Sequence, residues 1–351
     1  MRRRILIALA LLVALIGFTA VRGNRRTPGA AAATGPEEQL DGGIRRIDLR
    51  FPCGASMCAG WLYLPARDAP VPVVVMGHGF AGTRDVGLAV PAERFAREGI
   101  AAFVFDYRSF GASGGLPRQI VDPWQQLDDW RAAVAFMRAR AGVDGSRLAL
   151  WGASLGAGHA LLIAAEDRQV RAVVAQAPLI DTSVEGEATF YGVAWAARLV
   201  LTGWADLVCS AFGCDPVTLP AIARSGDFGM IIDDAAYAAF EKLVAPASTY
   251  RNAVAARSIF TFDDYNPATR TAAITAPVLL IASRTDRFAP FAAVQAYAER
   301  AAKVRVETYE GDHFDVYSPP AVTHAADVAA RFLAAHLGRA QRELAQFMGS
   351  D

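Results

Sequence analysis

Gly152-Ala153-Ser154-Leu155-Gly156 sets a serine between glycines placed two residues before and two residues after it. An apolar run, Leu148-Ala149-Leu150-Trp151, leads in, and a stretch rich in small residues, Leu155 to Ala165, leads out. The run fits a short buried strand and the stretch fits a helix, so Ser154 falls on a sharp turn between them. Such a turn holds the hydroxyl clear of the sheet, and it closes only where the flanking positions carry no bulk. The Leu155 amide, at the helix start, then faces the point where an oxyanion would form.

An aliphatic hydroxyl is a poor nucleophile near neutral pH. It needs a base in contact, and a histidine base needs a carboxylate to fix its tautomer. Of the five histidines, His159 lies inside the helix after Ser154, and His324 and His336 lie in the last helix. Packed or solvated positions are expected of these three. His78 stands between Gly77 and Gly79, where backbone matters more than the ring. His313, in Glu310-Gly311-Asp312-His313-Phe314-Asp315, follows a strand pattern at Val304–Tyr309 and is the expected base. For the acid, Asp286 leaves a strand at Pro277–Ala282, while Asp181, just beyond the preceding strand, is its rival. Asp312 and Asp315 flank His313, and sequence neighbours seldom reach round to the ring. Asp286 keeps the order serine, acid, histidine, each at its own strand end. A second oxyanion donor is expected at the Phe80 amide, after Gly77-His78-Gly79.

These residues need a scaffold, and the chain alternates strand and helix to supply one. A continuous apolar run at Val71–Met76 suits a strand buried on both faces, and further strands are expected at Ile100–Phe105, Leu148–Ala153, Val170–Gln176 and Pro277–Ala282. Helical stretches separate them at Val86–Glu98, Pro123–Ala141, Leu155–Ala165 and Pro290–Ala302, with a last one at Pro320–Leu337. That is the grammar of a mostly parallel α/β sheet covered by helices, in which ligands sit beyond the carboxyl ends of the strands. Residues 178–272 interrupt it with mostly helical patterns and an apolar stretch, Phe190–Phe212, that carries Arg198 and Asp206. Those charges argue against a membrane span, and the segment is expected to be an inserted helical cap.

At 351 residues, 53% hydrophobic and 20% charged, the chain can bury a substantial core. Lys plus Arg and Asp plus Glu number 35 each, and no basic stripe is present, which argues against a nucleic-acid partner. Arg2, Arg3 and Arg4 precede an apolar stretch from Ile5 to Val21, followed by Arg22, Arg25 and Arg26. This reads as an export signal or membrane anchor, and an uncleaved anchor is favoured because Phe18-Thr19-Ala20 lacks a small residue at its first position. Residues 22–43 then form a linker and 339–351 a tail, with the folded part outside the cytoplasm. Four cysteines fit that setting. Cys53 and Cys58 bracket a hairpin turn, and Cys209 and Cys214 repeat the spacing, so two disulfides are expected. A zinc site and buried free thiols are the other readings of the four.

Gly77-His78-Gly79-Phe80, Gly152-Ala153-Ser154-Leu155-Gly156, Arg284-Thr285-Asp286 and Gly311-Asp312-His313-Phe314 together resemble the motifs of α/β-hydrolase-fold serine hydrolases. Asp106-Tyr107-Arg108-Ser109-Phe110-Gly111-Ala112-Ser113-Gly114-Gly115, followed by Pro117-Arg118-Gln119, narrows the likeness. It points to a bacterial branch related to dienelactone hydrolases, X-Pro dipeptidyl-peptidase-like proteins and fungal polyketide transferases. The resemblance spans residues 44–338. It implies an eight-stranded sheet built from 44–177 and 273–338, a triad of Ser154, Asp286 and His313, and an oxyanion hole from Phe80 and Leu155. It implies no metal and no organic cofactor. Asp312 departs from the pattern, since relatives often place a small residue before the histidine. The expected chemistry is hydrolysis of an ester or thioester through an acyl-enzyme, with a small-molecule, apolar acyl substrate. An acyltransferase is the alternative, as is a serine peptidase using Glu185, Glu187, Asp233 or Asp234 for an amino terminus. A non-catalytic binding protein is the least favoured.

Overall fold

The chain enters its sheet through an antiparallel meander of β1 (Ala33–Gln39), β2 (Arg45–Cys53) and β3 (Ser56–Leu64). A computed structural model describes residues 32–67, 70–183, 191–301 and 303–338. The apolar segment 5–21, residues 22–31 of the expected linker and the tail at 339–351 lie outside the described residues. After the meander come β4 (Val71–Gly77), helix α1 (Ala89–Arg97), β5 (Ala101–Phe105) and α2 (Pro123–Arg138). Then follow β6 (Val143–Ala153), α3 (Leu155–Glu166) and β7 (Val173–Gln176). The sheet has nine strands rather than eight. Its order is β1-β2-β3-β5-β4-β6-β7, continued by Val278–Ser283 and Val304–Tyr309, and every pair from β5 onward is parallel. The additional strand is β1, which forms within the expected linker. Its residues are all exposed, so it adds backbone pairing at the sheet edge without burying apolar surface.

Alternation inside the apolar runs explains the layers. In β4, Val71, Val73 and Val75 face one side with Trp130 and Met137 of α2 and Leu161 of α3. Val74 and Met76 face the other with Phe95 of α1 and with Phe332 and Leu333 of the last helix. A strand that must satisfy two cores cannot carry a polar face. Asp122 caps α2 by accepting from the amides of Trp124 and Gln125. Cys53 and Cys58 are joined as a disulfide across the β2–β3 turn, both fully buried. Cys209 and Cys214 are not bonded to each other in this structure, although both sit in the turn that ends one helix, where Cys214 N–H donates to the Cys209 carbonyl.

The insertion carries α4 (Val193–Ala211) and α5 (Asp234–Leu243). It is less helical than its pattern implies, because Leu219, Ile222, Ile231 and Val254 belong to two-residue strand pairs. Its inner seam is an ion pair. Asp206 accepts from Arg257 Nε and Nη2 at 2.7 and 2.9 Å and from the amides of Val217 and Arg257, with no exposure at the carboxylate. Asp206 therefore ties α4 to the rest of the insertion, at Val217 and Arg257. The core resumes with β8 (Val278–Ser283), α6 (Phe291–Arg300), β9 (Val304–Tyr309) and α7 (Ala321–Leu337).

Candidate active site

β6 ends at Ala153, and Ser154 turns the chain into α3 with φ 54° and ψ −120°, a conformation L-residues rarely adopt. The crowding around it is backbone against backbone. A methyl group on Gly152 would stand 2.1 Å from the Gly156 carbonyl oxygen, and one on Gly156 would stand 2.4 Å from that of His78. One on Gly79 would come within 2.9 Å of the Ser154 Cβ. The serine turn and the Gly77–Phe80 loop are thus pressed together. The amides of Phe80 and Leu155 make no turn or cap hydrogen bond within the described residues.

The structure brings Ser154, His313 and Asp286 into one line of hydrogen bonds. Ser154 Oγ lies 3.0 Å from His313 Nε2, and His313 Nδ1 lies 2.8 Å from Asp286 Oδ2. The other carboxylate oxygen of Asp286 accepts from the Phe288 and Ala289 amides at 2.9 and 2.8 Å. The side chains of His313 and Asp286 are 5% and 1% exposed. Asp181 is elsewhere, accepting from Ser183 and Asn266. Such an arrangement can take a proton from a hydroxyl and hold the resulting imidazolium against a fixed, nearly dry carboxylate.

Of the other histidines, His159 is fully buried, with Nε2 3.0 Å from Gln126 Oε1 and Nδ1 2.9 Å from the Tyr265 hydroxyl. Burial pushes its pKa down to about 3, so it stays neutral. His78 is pushed down to about 4 by burial, and its Nδ1–H donates to the Gly79 carbonyl. The Tyr107 hydroxyl donates to the His78 carbonyl and accepts from Trp130 Nε1, which pins the loop from below. His324 is exposed and pairs with Glu307.

Asp312 neither reaches the imidazole nor faces solvent alone. Its carboxylate accepts from the Arg287 amide, the His313 amide and Arg287 Nε. Burial works toward a higher pKa, but these hydrogen bonds and the guanidinium hold Asp312 below the usual range. Arg287 Nη1 also donates to Asp233 at 2.8 Å, and Asp233 caps α5 through the Ala236 amide. One guanidinium therefore links the acid loop, the histidine loop and the cap. A second tie crosses nearby, where Asp85 accepts from the amide and hydroxyl of Thr249. Nothing in the sequence signals either tie, because the partners lie 54 and 164 residues apart.

Above Ser154 opens a cavity of about 340 Å³. Leu179, Ile222, Met230, Phe240, Phe288 and Phe314 are among its walls, and Ser154 and His313 stand in its lining. Among the described residues, no carboxylate, lysine or arginine lines it. Glu185 and Glu187 lie outside the described residues, Asp233 is engaged by Arg287, and Asp234 accepts from the Ser225 amide.

Residues 68–313 match the hydrolase family described as serine aminopeptidase, S33. The chain belongs to this family. It is 37% identical over 273 residues to the quorum-quenching protein AidA of Acinetobacter baumannii, covering 77% of this chain and 88% of AidA. It is 38% identical over 128 residues to the thiohydrolase aneE of Aspergillus aculeatus, covering 36% of this chain and 40% of that protein. Among solved structures it is similar to the α/β hydrolase GrgF from Penicillium, with a TM-score of 0.69 and 23% identity, covering 88% of this chain and all of GrgF. That last likeness concerns the fold: the α/β-hydrolase sheet with helices on both faces is present here.

Proposed function

We propose that this family member is a serine hydrolase that cleaves uncharged esters or thioesters with an apolar acyl group. The observation that carries the reading is the line Ser154–His313–Asp286 at the wall of an apolar cavity. Ser154 Oγ attacks the carbonyl carbon while its proton passes to His313 Nε2. Asp286 holds the imidazole by Nδ1 and balances the imidazolium charge. The oxyanion rests on the amides of Phe80 and Leu155. His313 then protonates the leaving alcohol or thiol, and water repeats the two proton transfers to release the acid and restore the serine.

The cavity argues for this substrate class. An aminopeptidase must hold a cationic amino terminus, and a pocket without a described carboxylate offers it no partner. Apolar walls instead favour a hydrocarbon chain next to a neutral reacting carbonyl. The thiohydrolase designation of the Aspergillus relative supports including thioesters. The basic-flanked apolar segment and the Cys53–Cys58 disulfide support an enzyme exported and held at a membrane. An acyltransferase would use the same residues with an acceptor other than water, and product analysis in the presence of added alcohols or amines separates the two.

Labelling with a fluorophosphonate tests the nucleophile. The wild-type protein is expected to react and Ser154→Ala to remain unlabelled, while equal labelling of both overturns the assignment. With p-nitrophenyl esters of increasing length, kcat/KM is expected to rise from acetate toward medium chains.

A further inference from the structure

Helix α4 turns an apolar stripe outward. Val193, Val200, Leu201, Trp204, Val208 and Phe212 recur at helical spacing, and all are exposed, from 37% at Trp204 to 82% at Phe212. The inner face is narrow, with only Leu199, Gly203 and Asp206 buried. A methyl on Gly203 would meet the Phe260 ring at 2.8 Å, so the helix is seated closely there. Its two charges are both engaged on the protein. Asp206 is buried against Arg257, and the Arg198 guanidinium lies over the Phe228 ring at 4.0 Å. At 1.5 Å per residue the stripe runs for about 28 Å. Beneath it, Leu199 packs in a cluster with Met230 and Ile259, which also line the cavity over Ser154.

A stripe of this size needs a partner in water, and the sequence names one. Ile5–Val21 carries no charge and, Thr19 apart, no polar side chain, and is flanked by Arg2, Arg3, Arg4, Arg22, Arg25 and Arg26. A segment with no polar face in its sequence cannot be covered by one stripe on α4, whereas a bilayer covers both. We propose that the outward face of α4 docks on the lipid bilayer that holds Ile5–Val21, with the cap lying in the membrane interface and the cavity one side-chain layer above it. A lipid-borne ester then reaches Ser154 without crossing bulk water. The proposal rests on the hydrolase reading only for that last step.

The test uses the full chain in phosphatidylcholine vesicles that contain lipids brominated along the acyl chain. Quenching of tryptophan fluorescence is expected in the wild type, and the quenched fraction is expected to fall in Trp204→Phe. Equal quenching in both, or a chain that stays off the vesicles, overturns the docking. Leu201→Glu combined with Val208→Glu is expected to keep its rate on soluble p-nitrophenyl butyrate and to lose about ten-fold on an ester carried in the vesicles. Unchanged rates on both substrates also overturn it. If light scattering in detergent finds two wild-type chains per particle and one for the double variant, the face is a subunit interface and the lipid reading is wrong. A wild type that hydrolyses neither substrate sinks the hydrolase reading and leaves the quenching result standing.

Discussion

At Ser154 the backbone stores strain of about 1–3 kcal/mol, and the glycines around it leave no other path for the chain. Gly156→Ala must push the added methyl into the His78 carbonyl, which is backbone and cannot step aside. Urea unfolding should show a loss of about 1–3 kcal/mol, and turnover should fall because the Phe80 loop moves with it. Asp286→Asn is a different kind of change. Its side-chain carbonyl can still accept from the Phe288 and Ala289 amides, so the loop should keep its form. The amide then faces His313 Nδ1 with a donor and imposes the wrong tautomer. A drop in kcat of about 10⁴ is expected with unchanged unfolding, whereas Asp181→Asn should leave kcat where it was. The line Ser154–His313–Asp286 is legible in the sequence because each of the three stands just past the end of its own strand. Arg287 is not, since its role depends on Asp233 and Asp312 arriving from two other loops.

Among the elements, the buried strands declare themselves through apolar runs, and β4 to β8 fall where those runs lie. β1 does not, because Ala33–Gln39 contains Gly35 and Pro36 and buries nothing. An edge strand held by backbone pairing alone has no hydrophobic period to read. The two-residue strands of the cap are hidden for a different reason: Leu219, Ile222 and Val254 are buried, but two residues are too few to show a period. The cap itself makes an element-scale prediction. Removing the guanidinium in Arg287→Ala frees the start of α5, which carries Phe240 over the cavity. KM for a long-chain ester should rise several-fold with a smaller change in kcat, and Arg287→Lys should recover part of it. At the hairpin, replacing both Cys53 and Cys58 with alanine should lower stability by about 2 kcal/mol, the loop entropy of a short closure. Denaturant titration with and without reductant checks it.

For the whole molecule, acid stability is a contest between two pairs of buried groups. His78 and His159 titrate near 4 and 3 in the folded chain, against about 6.5 when unfolded. Below pH 6.5 the unfolded chain binds more protons at these sites, so their contribution is full above that value and declines as pH falls toward 4. Burial raises Asp106 and Asp129 to about 6, against the ordinary 3.8. Between those values the folded chain holds the extra protons, and stability from these sites grows as pH falls. The test is to remove one term. His159→Asn should be less stable than wild type at pH 7, and the gap should narrow by about 1 kcal/mol or more between pH 6.5 and 4. A constant gap across urea midpoints would falsify the assignment. The Arg287 contact bears on how such enzymes diversify. Because one cation is shared by the acid loop, the histidine loop and the first turn of α5, the insertion is not an interchangeable part. A chimera that imports a foreign cap without a carboxylate at the position of Asp233 inherits a new substrate cavity and, with it, a guanidinium that still holds the histidine loop but no longer ties it to the cap.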